Sequence, residues 1–247
     1  MFLTKHDLKL SYGVHLEIGA TYVDRKLPAG NLYWKDRTIY LPGAPGYIFM
    51  PIFADLLFRA GADLTRLLSD EQLNTAEKIL HSAALLEHKQ ISWTEHIQQA
   101  SMVQPHASSN FLYADLIKYL QGRSVFQAQG FQLGTKFPSL NRADSYLLSL
   151  TTLDINSFDL ALAIESWYAL MTYFLIMDDL ADIKDDLKNN EENVLLDAGL
   201  DQTGISTITA MIDNSIQVMN KINPVMANRI DHKKNLIDLE AIIRSIR

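Results

Sequence analysis

The sequence predicts an all-α chain, and three observations carry that prediction. From residue 47 onward apolar side chains recur three and four positions apart, the spacing of one helix face. Residues that favour strands, together with the Pro and Gly that punctuate them, collect in the first 46 positions. No period of 20–50 residues marks a solenoid or propeller. The expected organisation is therefore an N-terminal arm over 1–46 and one helical domain over 47–247.

The arm carries β-branched and aromatic residues in HLEIGATYV and NLYWKDRTIYL, broken by Pro28, Gly30, Pro42, Gly43, Pro45 and Gly46, and is expected to be irregular or a short β-hairpin. Ile48, Ile52, Leu56 and Arg59 then step along one helix as far as Gly61. Ser69 with Gln72 three residues on reads as a capping box, opening a helix through Leu73, Ala76, Leu80, Ala83 and Leu86. A further helix is expected over 110–129, with Phe111, Leu116, Leu120 and Phe126 inward and Gly122 weakening it. Helices follow over 144–151 and 158–188, Gly199 closes the next segment, and 205–222 and 224–247 complete the chain.

Composition narrows the chemistry. With 29 acidic and 22 basic side chains among 247 residues, a net charge of −7, the chain lacks the basic surface that phosphate-backbone binding needs, so no nucleic-acid partner is expected. The absence of cysteine excludes disulfides, thiolate metal sites and cysteine nucleophiles, and is compatible with a cytoplasmic protein, the expected location. The N-terminus has no apolar run of signal-peptide length; the longest apolar stretch, 160–177, contains Glu165 and runs into aspartates, which reads as a buried helix rather than a membrane anchor. No HExxH, GxSxG, Walker or GxGxxG pattern occurs.

Charge is distributed unevenly. Between Asp178 and Asp197 eight acids face two bases, Lys184 and Lys188, so this short segment carries nearly all of the net charge. Within it, Asp178, Asp179 and Asp182 form DDxxD, and Asp186 lies one turn further along the row of Asp178 and Asp182. Residues i and i+4 on a helix stand about 5–6 Å apart and like charges there repel, so such a row is either solvated or holds a cation. Mg²⁺ suits it, because that ion takes one or two carboxylates and fills its remaining positions with water and phosphate oxygens.

Several segments resemble the trans-polyprenyl (isoprenoid) diphosphate synthases in order along the chain. YFLIMDDLADIKDDLKNNEENVLL is similar to the family's second aspartate-rich motif; AEKILHSAALL, with His81, to the helix before the first; FLYADLIKYLQGRSVFQAQ, with Asp115, to the helix after it; and VMNKINPVMANRIDHKKNLIDLEAIIRSIR to the C-terminal helix pair. The resemblance implies an isoprenoid synthase-type helical bundle around an apolar cavity and Mg²⁺ on Asp178, Asp179, Asp182 and Asp186. It further implies an isoprenoid diphosphate ligand and a homodimer or a heterodimer with a related synthase. Arg123 and Lys188 are the candidate phosphate contacts, and Tyr173 and Phe174 candidate tunnel walls, although aromatics at helical spacing are usually core. His81 reads as a core histidine, and Glu165 as a residue with a partner or a cavity to face.

The chain also departs from that pattern. After HSAALL it reads Glu87, His88, Lys89, Gln90, Ile91, Ser92 where the family has its first DDxxD, and GAPGYIF, HIQQASMV and Thr151-Thr152 stand where its basic residues lie. Two functions remain open at this point. An enzyme would ionise or transfer an allylic diphosphate with the single acidic motif; a non-catalytic relative would bind an isoprenoid-like ligand or pair with a complete synthase.

Overall fold

A computed structural model describes residues 4–26, 28–34, 48–102 and 111–246. Its centre is α8, Leu160–Asn189, a 30-residue helix whose first half buries Leu160, Ile164, Trp167, Leu170 and Tyr173 and leaves one stripe, with Ala161 and Glu165, exposed. A helix with so wide an apolar face packs it against the core. Helix α3 (Phe49–Arg59) packs on one flank of α8 and α10 (Gln202–Ile222) on another. Among the described residues α8 is the one helix long and apolar enough to cross a bilayer, and 67% of its most apolar window is buried inside the protein.

Helix α5 (Asp70–Glu87) packs on a 3-10 segment, Asp144–Thr152, and on α6 (Trp93–Met102), which leads toward α7 (Phe111–Gly122). α9 (Val194–Ala198) docks on both α8 and α10, and α11 (Pro224–Lys234) folds back along α10 before the short α12 (Leu239–Arg244). Short helix α4 (Leu64–Leu67) links α3 to α5. The only sheet among the described residues is a two-stranded antiparallel hairpin, β1 (Phe126–Gln127) with β2 (Gln132–Leu133), turned by Gly130 at φ 90°. The chain is all-α with one short hairpin.

That hairpin is not in the arm. The described part of 1–46 forms α1 (Lys5–Tyr12), α2 (Leu16–Asp24) and a 3-10 turn at Leu32–Trp34, while residues 35–47 lie outside the described residues. The arm is held by buried polar joints rather than by strand pairing. Fully buried Asp55 accepts from the His15 amide at 2.8 Å and from Arg59 Nε at 2.6 Å; Arg59 Nη2 in turn donates to the Gly13 carbonyl at 2.7 Å. Asn223 donates to the Tyr12 carbonyl at 2.9 Å, which ties the α1–α2 corner to the α10–α11 corner. Arg25 grips buried Glu77 with two hydrogen bonds, 2.5 and 3.1 Å, and His81, expected in the core, is only partly buried, its Nδ1 accepting from the Leu32 amide at 3.0 Å.

Three other expectations are corrected. The helix expected over 110–129 stops at Gly122: Arg123 takes the left-handed conformation at φ 49°, Phe126 enters β1, and Phe111 is half exposed. The helix expected over 144–151 is wound as 3-10 rather than α. At Ser69 only half of the expected capping box forms. Its hydroxyl accepts from the Gln72 amide at 3.3 Å, but the Gln72 side chain turns to the Thr152 hydroxyl.

Candidate functional site

The acidic motif sits where α8 ends and α9 turns back onto it. Asn190, left-handed at φ 56°, terminates α8, and Asn193 caps α9 by accepting from the Leu195 amide at 2.9 Å. The Asn193 side-chain amide donates to the Asp179 carbonyl at 2.9 Å and to Asp186 Oδ2 at 2.8 Å. Asp179 itself points inward, its side chain 2% exposed; Oδ1 accepts from Arg142 Nη2 at 2.7 Å and Oδ2 from the Val194 amide at 2.6 Å. Arg142 also reaches Asp178 Oδ2 at 3.4 Å and donates to the Ser139 carbonyl at 3.2 Å, while Asp197 accepts from both the amide and the hydroxyl of Ser139.

Charge explains the titration of this joint. Burial, then the neighbouring aspartates 182, 179 and 186, push the Asp178 carboxyl above its ordinary value against the pull of Arg142. Burial works against the Arg142 cation, yet Asp179, Asp178 and Glu192 together hold its proton more tightly than usual.

The resemblance implies Mg²⁺ on these four aspartates; in the structure two of the four are engaged by protein groups. Both oxygens of Asp179 are already satisfied, by a guanidinium and a backbone amide, and Asp186 is engaged by Asn193. Asp178 and exposed Asp182 remain, with Arg142 beside the former. Among the described residues no three His, Asp or Glu side chains are grouped as a metal would require.

The other predicted contacts are dispersed. Arg123 stacks over the Trp93 ring at 4.7 Å and pairs with Glu192 at 3.4 Å on the surface. Lys188 is exposed in the last turn of α8. Tyr173 and Phe174 are buried core side chains, their rings 5.3 Å apart, and the Tyr173 phenol lies within hydrogen-bonding influence of Arg229. The bundle centre between α3, α8 and the 3-10 segment is filled: Tyr146 stacks on Trp167 at 5.5 Å, and Phe53 meets the same indole edge-on at 4.9 Å.

No protein-family model, curated protein or solved structure matches this chain. What the chain can do must be read from its own geometry.

The open space lies to one side of the centre. A groove of about 960 Å³ runs along the first half of α8, between the hairpin, the 131–140 segment and α10. Phe131, Phe137, Leu140, Leu162, Ala169 and Met211 give it apolar walls, with Thr172 toward one end. Glu165 faces this groove and pairs with Lys221 at 3.3 Å, so its position in an apolar helix has both a cavity and a partner.

Behind the groove wall is a buried carboxylate that sequence reasoning treated only as the start of a helix. Asp144 is 0% exposed and has neutral partners: the Tyr119 and Tyr168 hydroxyls donate to Oδ2 at 2.5 and 2.9 Å, and Trp167 Nε1 to Oδ1 at 2.9 Å. Burial pushes its pKa up to about 6, although all three donors favour the charged form. Burial and the Asp144 charge likewise push both phenols upward, which removes them as bases. Tyr168 lines the groove and accepts from the Gly134 amide at 2.6 Å, so this network fixes the hairpin against α8. Gly134 is required there. Its φ is 78°, and a Cβ would stand 2.6 Å from the Tyr119 ring.

Arg142 and Asp144 lie two residues apart in NRAD, and no spacing rule marks either one. The readable clue to Arg142 was the charge imbalance itself, since an acidic helix end that bends back on itself requires a cation from elsewhere in the chain. The Ser82–His96 pair, 2.8 Å apart, is buried; burial lowers the His96 pKa to about 4, keeping the ring neutral as a core hydrogen-bonding group.

Proposed function

We propose that this chain is a non-catalytic binding protein on a bundle of the isoprenoid synthase kind, holding an elongated apolar ligand of the isoprenoid class beside the first half of α8. The groove carries this reading. Its volume of about 960 Å³ falls within the roughly 300–1,000 Å³ of small-molecule sites, and its walls set Phe131, Phe137, Leu162 and Met211 beside polar Gln132, Lys136, Asp159 and Asn214. Glu165 and Tyr168 are each occupied by a protein partner, and the apolar walls supply affinity by burial. The resemblance of YFLIMDDLADIKDDLKNNEENVLL supplies the ligand class.

Prenyl transfer asks for more than this. A diphosphate removed from water needs charge-assisted donors and metal ions to carry its developing charge. Here the Asp179 carboxylate is committed to Arg142 and Val194, and Arg123 to Glu192.

The test is displacement of 1-anilinonaphthalene-8-sulfonate by farnesol and by farnesyl diphosphate, each with and without Mg²⁺. The expected result is comparable displacement by both, unaffected by Mg²⁺, and weakened in Thr172→Trp, which obstructs one end of the groove, with circular dichroism equal to that of the natural chain as the control for folding. Binding only of the diphosphate, dependent on Mg²⁺ and lost in Asp178→Asn, or release of diphosphate, would overturn this reading in favour of a metal-dependent enzyme.

A further inference from the structure

The acidic end of α8 poses an electrostatic problem. Asp178, Asp182 and Asp186 repeat at i, i+4 on one face, Asp179 is buried beside them, and Glu192 returns from the following turn. Like charges at that spacing repel, and a buried carboxylate without a cation is costly. In a metal-dependent arrangement a divalent ion would relieve both.

The side chains relieve it differently. Arg142 leaves the end of the 3-10 turn Pro138–Asn141 and enters this acidic corner with its side chain 27% exposed. It makes a 2.7 Å charge-assisted bond to Asp179 and approaches Asp178 at 3.4 Å. Its base is anchored as well, through the Ser139 carbonyl, and Ser139 is held in turn by Asp197 beyond α9. The second Asp179 oxygen takes the Val194 amide, and Asn193 bridges the Asp179 carbonyl to Asp186. The carboxylate best placed to anchor a metal is thus the one most completely satisfied without it.

We propose that Arg142 is the resident counter-ion of this corner, standing in the place of a divalent cation, so that the junction of α8, α9 and the 138–141 turn is built to be metal-independent. A corollary follows from charge balance. Removing the guanidinium leaves Asp178 and Asp179 uncompensated and destabilises the corner. Nothing in this proposal depends on what the groove binds.

The experiment compares melting temperatures of the full chain, Arg142→Ala and Arg142→Lys in MgCl₂ or MnCl₂ against NaCl of equal ionic strength. The natural chain is expected to shift by no more than about 1 °C, at most half of the roughly 2–4 °C that one kcal/mol is worth in a chain of this size. Arg142→Ala is expected to melt several degrees lower. Arg142→Lys should fall between the two, because an ammonium supplies the charge but not the two-pronged geometry. If Arg142→Ala does not fold, Arg142→Gln replaces it, and electron paramagnetic resonance of the natural chain in MnCl₂ is expected to count no bound ion. A natural chain that Mg²⁺ stabilises by several degrees, or that binds Mn²⁺, would overturn the proposal, as would an arginine-free variant as stable as the natural chain.

Discussion

Replacing Asp144 with Asn should change how stability depends on pH more than it changes stability at any single pH. In the fold this carboxyl titrates at about 6 rather than at its ordinary 3.8, a gap worth about 3 kcal/mol, because burial penalises the anion. A carboxyl whose pKa is raised by folding contributes its stability fully below the unfolded pKa and loses it as pH climbs through the folded one. Between about pH 4 and pH 6 the unfolded chain therefore releases this proton while the native chain keeps it, and this group's contribution falls by up to about 3 kcal/mol. Asparagine removes that decline. It also has one acceptor where the carboxylate has two: its carbonyl can serve the Tyr119 and Tyr168 hydroxyls, but its amide then faces Trp167 Nε1, donor against donor. An unsatisfied buried donor costs about 1–3 kcal/mol. The variant should thus be less stable than the natural chain by about that amount at pH 4, and within about 1–2 kcal/mol of it, or more stable, at pH 7.5. Urea unfolding followed by circular dichroism at pH 4, 5, 6 and 7.5 measures this, and the difference between the two proteins cancels the other acids. A difference that stays constant over that range, or moves the opposite way, would refute the assignment of Asp144 as a buried carboxylate held by neutral donors.

Three further outcomes follow from the same kind of reasoning. Arg25→Met should destabilise the chain by about 3–5 kcal/mol in urea titrations, because Glu77, with a side chain 3% exposed, would be left buried without its cation; limited proteolysis should then release the α1–α2 region first. Gly13→Ala should lower stability by at least about 1–2 kcal/mol from the left-handed backbone alone, and by more because the new methyl would collide with Asn223 Oδ1; a melting temperature equal to that of the natural chain would rule this out. Trp167→Ala should cost about 3–5 kcal/mol by opening a cavity among Phe49, Phe53 and Tyr146, and intrinsic fluorescence together with thermal melting would show it.

The long helices were legible because each is long enough for its apolar spacing to be unambiguous. α3, α5, α8 and α10 begin and end within a few residues of where periodicity and capping placed them. α6 was readable too and was passed over. Ser92 and Glu95 form a complete capping box, the hydroxyl accepting from the Glu95 amide at 3.3 Å and the carboxylate from the Ser92 amide at 2.7 Å, and that four-residue signature is plain in the sequence. α1 and α2 were less accessible. Helices of eight and nine residues are marginal alone, and α2 contains Ile18, Thr21 and Val23, whose branching favours strands; burial of Ile18 and Tyr22 together with the Asp55–Arg59–Asn223 joint decides the matter. The hairpin was hidden for a related reason. VFQAQGFQL alternates apolar and polar residues over too short a span to outweigh the helix that precedes it.

What the sequence by itself determined is the all-α class, the buried central helix, the acidic end of that helix and the exclusion of cysteine chemistry, since each depends on residue type or on spacing within one element. Tertiary structure alone decided where the charges and cavities meet. Arg142 lies 37 positions from Asp179 and Asp144 lies 24 from Tyr168, and no local pattern links residues so far apart. Folding closes those distances, and the resulting pairing, with Arg142 neutralising the aspartates and aromatic rings packed in the bundle centre, sets the groove beside α8 as an open site among the described residues.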